Sequence, residues 1–244
     1  MSEERKLWQG VNATAQKALR ARDYSAGSLA QRLATSGVDA GDLDKSNPAL
    51  SEAWIPGVEI FARTIHAQPH RGVFGEFARQ DEGTLAGIGF WPVQWATARM
   101  FARTAKGFHI HPPAIPKNKT PAEWFKRLFA DDSKNHSLRP YEREQWDVMF
   151  FVQGRAEMFL RDVRAGLPSR TMRFFVDGDN HRGRNNVGVV VPPGVAHAIR
   201  VEGSEDVIMV YGTSTSFHPE FEGRIASEIE TAELPESWQR FLAK

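Results

Sequence analysis

Three histidines carry the spacing from which chemistry is most readily built. The segment Phe108-His109-Ile110-His111 alternates apolar side chains with imidazoles. In a strand, residues i and i+2 share a face. His109 and His111 therefore present two imidazoles to one side, and Phe108 and Ile110 pack on the other. Two neighbouring imidazoles repel when both are charged, so the pair calls for a shared partner, either a metal ion or an anionic substrate. His197 closes Pro192-Pro193-Gly194-Val195-Ala196-His197. There Pro-x-Gly makes a tight turn into a strand and the imidazole emerges at the strand start, facing inward. The other five histidines, His66, His70, His136, His181 and His218, lie singly in polar or turn-rich segments and read as solvated or locally hydrogen-bonded. There is no cysteine. Disulfides, thiolate metal sites and a Cys nucleophile are excluded together, and any metal site has only His, Asp and Glu to draw on.

The elements that position these residues are mostly short strands. The 244 residues suit one domain with an extension, or at most two small domains. Residues 1–54 form a helical N-terminal extension in this reading, with Ala15, Ala18 and Leu19, then Leu29 and Leu33, at helical spacing. From Ile55 the texture changes. Runs such as 57–62, 148–152, 156–160, 187–191, 198–201 and 207–211 are separated by Gly, Pro, Asn and Asp. That spacing predicts a mainly β sandwich or barrel over 55–226. A polar insertion, 112–144, interrupts it. Within the insertion, Thr120-Pro121-Ala122-Glu123 is a capping box that opens a short helix. An insertion of this size serves as a lid, an interface or a surface excursion. Residues 227–244 read as a helical tail, with Trp238, Phe241 and Leu242 on one side.

Composition narrows the partners. A formal net charge of +1 provides no field to favour nucleic acid or a membrane surface. No apolar run is long enough to span a bilayer, and the start, Met1 to Leu7, lacks the apolar core of a secretory signal. A cytoplasmic protein acting on a small molecule is the expectation.

Two motifs carry a fold-level resemblance. Pro-x-Gly-x-x-His at 192–197 resembles the second cupin motif. His109-x-His111, with an acidic residue seven positions before a turn glycine, resembles the first; the glycine is Gly154 and the acid Asp147. The resemblance implies a double-stranded β-helix (jelly-roll) barrel with a metal quartet of His109, His111, Asp147 and His197. Imidazole and carboxylate suit Fe(II), Mn(II), Zn or Ni.

From about Gly57 to Gly223 the chain also resembles one cupin family, the dTDP-4-dehydrorhamnose 3,5-epimerases. Arg71-Gly72-Val73-Phe74-Gly75-Glu76-Phe77 is similar to its Arg-Gly-x-Phe-x-Glu-x-Phe. Gln94 is similar to the Gln of its Gln-x-Asn-x-Ser, and Lys106-Gly107-Phe108-His109 to its Arg-Gly-Leu-His. Gly154 with Asp162-Val163-Arg164, Val191 to His197, Tyr211-Gly212-Thr213 and His218-Pro219 with Glu222 continue the series in order. The resemblance implies proton abstraction beside the 4-keto group of a nucleotide-linked deoxysugar. His109 would be the base, Tyr211 the acid, and His197 would help hold the enolate oxygen. Arg71, Glu76, Gln94 and Lys106 would contact substrate, and a homodimer paired through strand exchange is implied as well.

The departures from that family share a direction. Asp147 stands where the family has Lys, His111 where it has Gln, and the family's Trp-x-Asp near the C-terminus is absent. Both exchanges turn a metal-free site toward a metal-binding one. Three readings follow: a carbohydrate epimerase or isomerase, a metal-dependent cupin of another class such as a dioxygenase or lyase, and a non-catalytic sugar-binding cupin. The first rests on the resemblance that covers more of the chain.

Overall fold

The computed structural model describes residues 54–111, 144–164, 170–181 and 185–218, together with 223–224, 229–230 and Gln239. The expected helices of the N-terminal extension and of the 112–144 insertion fall outside the described residues. Within the expected tail, Ile229–Glu230 is extended and pairs with a barrel strand, while Gln239 is helical.

The strands are β1 (Glu59–Ala62), β2 (Ile65–Gln68), β3 (Gly72–Gly75), β4 (Gln94–Met100), β5 (Thr104–Ile110), β6 (Asp147–Gln153), β7 (Arg155–Asp162), β8 (Thr171–Asp177), β9 (Val187–Val191), β10 (Val195–Glu202), β11 (Val207–Thr213), β12 (Gly223–Arg224) and β13 (Ile229–Glu230). One short helix, α1 (Gly83–Ile88), precedes β4. The first sheet runs β1-β9-β6-β11-β4. The second runs β12-β5-β10-β7-β8, with β13 also on β5. Pairing between the barrel strands is antiparallel throughout. From β4 onward the strands change sheet between β4 and β5, β5 and β6, β6 and β7, β8 and β9, β9 and β10, β10 and β11, and β11 and β12, only β7 and β8 being consecutive neighbours in one sheet. That alternation is the winding of a jelly-roll double-stranded β-helix.

Burial explains the sequence texture. Between the sheets lies a core that includes Ile60, Met149, Phe151, Met158, Leu160, Phe174, Val189 and Ile199. The other face of the first sheet is also covered. Val148, Phe150 and Val190 pack there against Leu85 and Ile88 of α1. A sheet buried on both faces needs unbroken apolar strands rather than alternating ones, which accounts for Val148-Met149-Phe150-Phe151 and for Val187 to Val191. The helix ends at Gly89, in the left-handed region (φ 71°), whose N–H turns back onto the last turn.

One crossing point admits only glycine. Gly154, between β6 and β7, has φ 80°, and a Cβ there would lie 2.6 Å from the carbonyl oxygen of Asp206. The turn brings the chain against β11 as it changes sheets, so both the backbone angle and the close approach require a residue without a side chain.

Candidate functional site

The two sheets do not close on apolar residues along their whole length. At one end they enclose a cavity of about 250 Å³ whose lining includes Gln94, Lys106, His109, His111, Asp147, His197 and Tyr211. The first sheet contributes Gln94 from β4, Asp147 from β6 and Tyr211 from β11. The second contributes Lys106 and His109 from β5 and His197 from β10, with His111 directly after β5. The cavity is thus formed where the two layers face each other.

His109 and His111 both line it, as period-two geometry requires. Lys106 is three residues from His109, and in a regular strand it would face the other way. The register explains its position. His197 pairs with His109, yet Ile199 pairs with Lys106, so β5 carries one extra residue relative to β10. Such a bulge re-aims the side chains on one side of it. The extra residue lies at Gly107-Phe108, and Gly107 has φ 131°. A Cβ on Gly107 would stand 2.7 Å from Ala198 Cα and 2.8 Å from the His197 carbonyl oxygen. Gly107→Ala is therefore expected to cost about 1–3 kcal/mol of stability through backbone strain and to displace His109. Chemical denaturation together with ligand binding checks it; an unchanged midpoint would show that β10 yields to the methyl group.

A closer cluster lies inside the cavity. Nε2 of His111 is 3.0 Å from Oδ2 of Asp147, and Nε2 of His197 is 3.7 Å from the same oxygen. Donor atoms of His111, Asp147 and His197 all lie within 4.8 Å of one another, and all three residues are buried. Asp147 is oriented from behind. Gln145 Nε2 donates to Asp147 Oδ1 at 2.9 Å, and Thr215 Oγ1 donates to Gln145 Oε1 at 2.6 Å. The N–H of Gly194, in the Pro-Pro-Gly turn, donates to the His111 carbonyl at 2.7 Å and ties the end of β5 to the start of β10.

The electrostatics follow from burial and pairing. Burial alone would raise the Asp147 carboxyl, but the charge and hydrogen bond of His111, then His197 and Gln145, outweigh it and hold the group below the usual carboxylate range. Burial pushes the His197 imidazole down to about 3; Asp147 opposes this shift, while His111 and His109 add to it. His197 is neutral at physiological pH, whereas Asp147 is ionised.

Two expectations meet a different geometry. His109 does not belong to the group of converging donors. Its ring stands edge-on to that of His197, with centroids 5.8 Å apart at 76°, and it is half-buried. Of the four residues expected from the motifs, the structure brings the donor atoms of His111, Asp147 and His197 within 4.8 Å of one another and places His109 beside them. Arg71 and Glu76 do not line this cavity either. The hairpin β2–β3 is a two-stranded sheet of its own, Arg71 is exposed at its turn, and Glu76 pairs with Arg79 beside a separate cavity near α1.

Among the remaining histidines, His181 is exposed and bonds Glu205 at 2.7 Å, a partner on the turn between β10 and β11 rather than a sequence neighbour. His66 stacks on Phe74 across the hairpin. His136 lies outside the described residues. Sequence reasoning missed Gln145 and Thr215. A signal for Gln145 was present: it stands two residues before Asp147, the same-face spacing already used for His109 and His111.

No family model matches the chain. It is 26% identical over 181 residues to the spore coat polysaccharide biosynthesis protein SpsL of Bacillus subtilis (strain 168), covering 72% of this chain and 93% of that protein. Among solved structures it is similar to NovW, a 4-keto-6-deoxy sugar epimerase from the novobiocin biosynthetic gene cluster of Streptomyces spheroides, at 17% identity and a TM-score of 0.45, covering 66% of this chain. The chain spans 64% of the length of that structure. It is also similar to a dTDP sugar isomerase from Desulfovibrio desulfuricans G20, at 13% identity and a TM-score of 0.47, covering 66% of this chain and 80% of the other.

Proposed function

We propose that the chain is a carbohydrate epimerase or isomerase acting on a nucleotide-linked 4-keto deoxysugar by proton abstraction and return. The observation that carries this reading is the meeting of His109, Tyr211, His197 and Lys106 on one enclosed cavity between the sheets. A half-buried imidazole is a suitable base for a C–H proton beside a ketone, and a phenol is a suitable acid to return one. His109 comes from the second sheet and Tyr211 from the first, so base and acid approach a ring in the cavity from facing layers. Opposed delivery of this kind is what inversion at carbon needs.

The cavity's size bears on the substrate. At about 250 Å³ it lies below the roughly 300 Å³ at which pockets for drug-sized ligands begin. It takes a single sugar ring, and the remainder of a nucleotide sugar extends beyond it. Lys106 is the only Lys or Arg lining the cavity among the described residues, and we assign it to a phosphate. Gln94 keeps the lip in place through its carbonyl, which accepts the Phe217 N–H at 2.7 Å. Arg71 and Glu76 enter this reading through a homodimer paired by strand exchange, in which the exposed hairpin β2–β3, with Phe74 at its surface, serves a second copy.

The test is solvent deuterium exchange into 4-keto nucleotide sugars. Wild-type protein is expected to incorporate deuterium beside the ketone and to form epimerised product. Tyr211→Phe is expected to keep the exchange, since His109 still removes and returns the proton on its own face, and to lose about 10²–10⁴-fold in epimerised product. Absence of exchange in the wild type across several 4-keto sugars would overturn the reading and favour a sugar-binding cupin.

A further inference from the structure

We infer that the C-terminal tail, residues 231–244, docks on the outer face of the second sheet and braces from behind the strand that carries His109.

Strand parity defines the face. Met158 and Leu160 of β7, Val195, Ile199 and Val201 of β10, and Met172 and Phe174 of β8 belong to the core between the sheets, and His109 lines the cavity. Period-two alternation therefore turns Phe159, Ala196, Ala198, Phe108 and Ile110 outward. All five are at most 1% exposed, yet neither apolar cluster of the described residues includes them. The outer face of the first sheet has α1 for cover. The outer face of the second is closed within a single chain, so its cover is the chain's own and no second copy is needed. One side of the patch is polar, where Glu157 accepts hydrogen bonds from Arg173 and Arg200.

The last strands bring the tail to this face. Gly223 and Arg224 pair with Ile110 and His109, and Ile229 and Glu230 pair with Ala105 and Thr104. The tail therefore starts beside β5. From β13 to β7 is three strand spacings, roughly 14 Å. Pro235 to Leu242, with proline at the first helical position, rises about 12 Å as a helix, and residues 231–234 precede it. That is enough chain to cross the patch from Phe108 to Phe159. Gln239 is helical and exposed. Trp238, Phe241 and Leu242 stand at i, i+3 and i+4 and share a stripe about 100° round the helix from Gln239. With Gln239 turned to water, that stripe is left to face the sheet. The N-terminal extension arrives elsewhere: it joins the barrel at Trp54, whose carbonyl accepts from Arg170 beside β8, across the sheet from β5.

This position gives the tail a task. Phe108 and Ile110 alternate with His109 and His111, so whatever packs behind Phe108 fixes how far His109 stands into the cavity. Gly107, on the other side of Phe108, is already pressed against Ala198. Trp238 and Phe241 are thus positioning residues that act through Phe108. The task rests on the epimerase reading of His109; the docking does not.

The test is photo-crosslinking in the whole chain, with p-benzoylphenylalanine in place of Phe159. A crosslink into residues 231–244, mapped by mass spectrometry of the product of monomer mass, is expected. A crosslink into residues 1–53 or 112–143, one to a second chain, or none at all would overturn the inference. A second measurement does not depend on the probe. In the whole chain carrying Trp238→Ala and Phe241→Ala, amide hydrogen exchange in peptides from β5 and β7 should quicken by about 10²-fold, with peptides from α1 and β1 unchanged. Unaltered exchange at β5 and β7 would also count against docking. The same variant should lower kcat more than it raises KM, and an unaltered kcat would remove the bracing task. The two readings fail separately. A mapped crosslink in a chain without proton exchange would overturn the epimerase and leave the docked tail; an active chain with no crosslink would do the reverse.

Discussion

Replacing His109 with Asn is expected to lower turnover of a 4-keto sugar by about 10²–10⁴-fold, the range for removing a general base. That corresponds to roughly 2.7–5.5 kcal/mol of barrier. The size of the effect follows from the site's division of labour. His197 is buried and its imidazole is pushed down to about 3, so it neither carries a proton nor accepts one near neutrality. His111 is engaged with Asp147 at 3.0 Å. His109 alone of the three is half-buried and lies outside the group of converging donors, and it is the residue the proposed reaction uses as base. Asn preserves much of the shape of the imidazole, so the fold should hold while kcat collapses. A His109→Asn chain that kept kcat within about threefold would remove this residue from the mechanism, since loss of a general base costs far more.

The largest effect on stability is expected at Arg63, far from the histidines. Its side chain is fully buried and pairs with Asp179. It also donates to the carbonyls of Phe151 and Glu76, each at 3.3 Å. The guanidinium lies 4.8 Å over the Phe77 ring and 5.8 Å from that of Phe150. One cation therefore joins the segment after β1, the end of the hairpin β2–β3, strand β6 and the loop after β8. Arg63→Ala removes the ion-pair partner of Asp179, which keeps the Asn186 Nδ2 hydrogen bond, and leaves two carbonyls without their guanidinium donor beside a cavity; breaking a largely buried pair of this kind costs about 3 kcal/mol, the low end of the range for a buried pair. With a urea m-value of about 2 kcal/mol/M, the midpoint should fall by about 1.5 M. Arg63→Lys should not rescue it, since a single ammonium cannot reproduce the planar fork. A loss below about 1 kcal/mol would mean that the pair behaves like a solvated surface bridge.

These two residues show how unevenly the sequence discloses its own fold. His109 stands out because its spacing to His111 matches the strand period. Arg63 does not, because its partners lie on segments that only the fold brings together. The same holds for α1, whose six residues show no long periodic run. Its apolar Leu85 and Ile88 acquire meaning once Val148 and Phe150 are seen to need cover. The continuous apolar runs of β6 and β9 indicate strands without revealing that a helix lies behind them.

The sequence by itself determined the architecture and the kinds of atoms available for chemistry. Short apolar runs separated by turn residues specify many short strands; Pro192-Pro193-Gly194 and Gly154 mark where the chain must turn; the absence of cysteine restricts any ligand set to imidazole and carboxylate. Tertiary structure decided which of those atoms meet. The bulge at Gly107-Phe108 turned Lys106 into the cavity, against strand parity. The facing of β6 against β5 and β10 chose His111 rather than His109 as the neighbour of Asp147. The physical reason is that strand periodicity is a local property of the backbone and can be read from neighbouring residues. The convergence of two imidazoles on one carboxylate oxygen depends on the separation and register of two sheets, and that is settled by packing throughout the core.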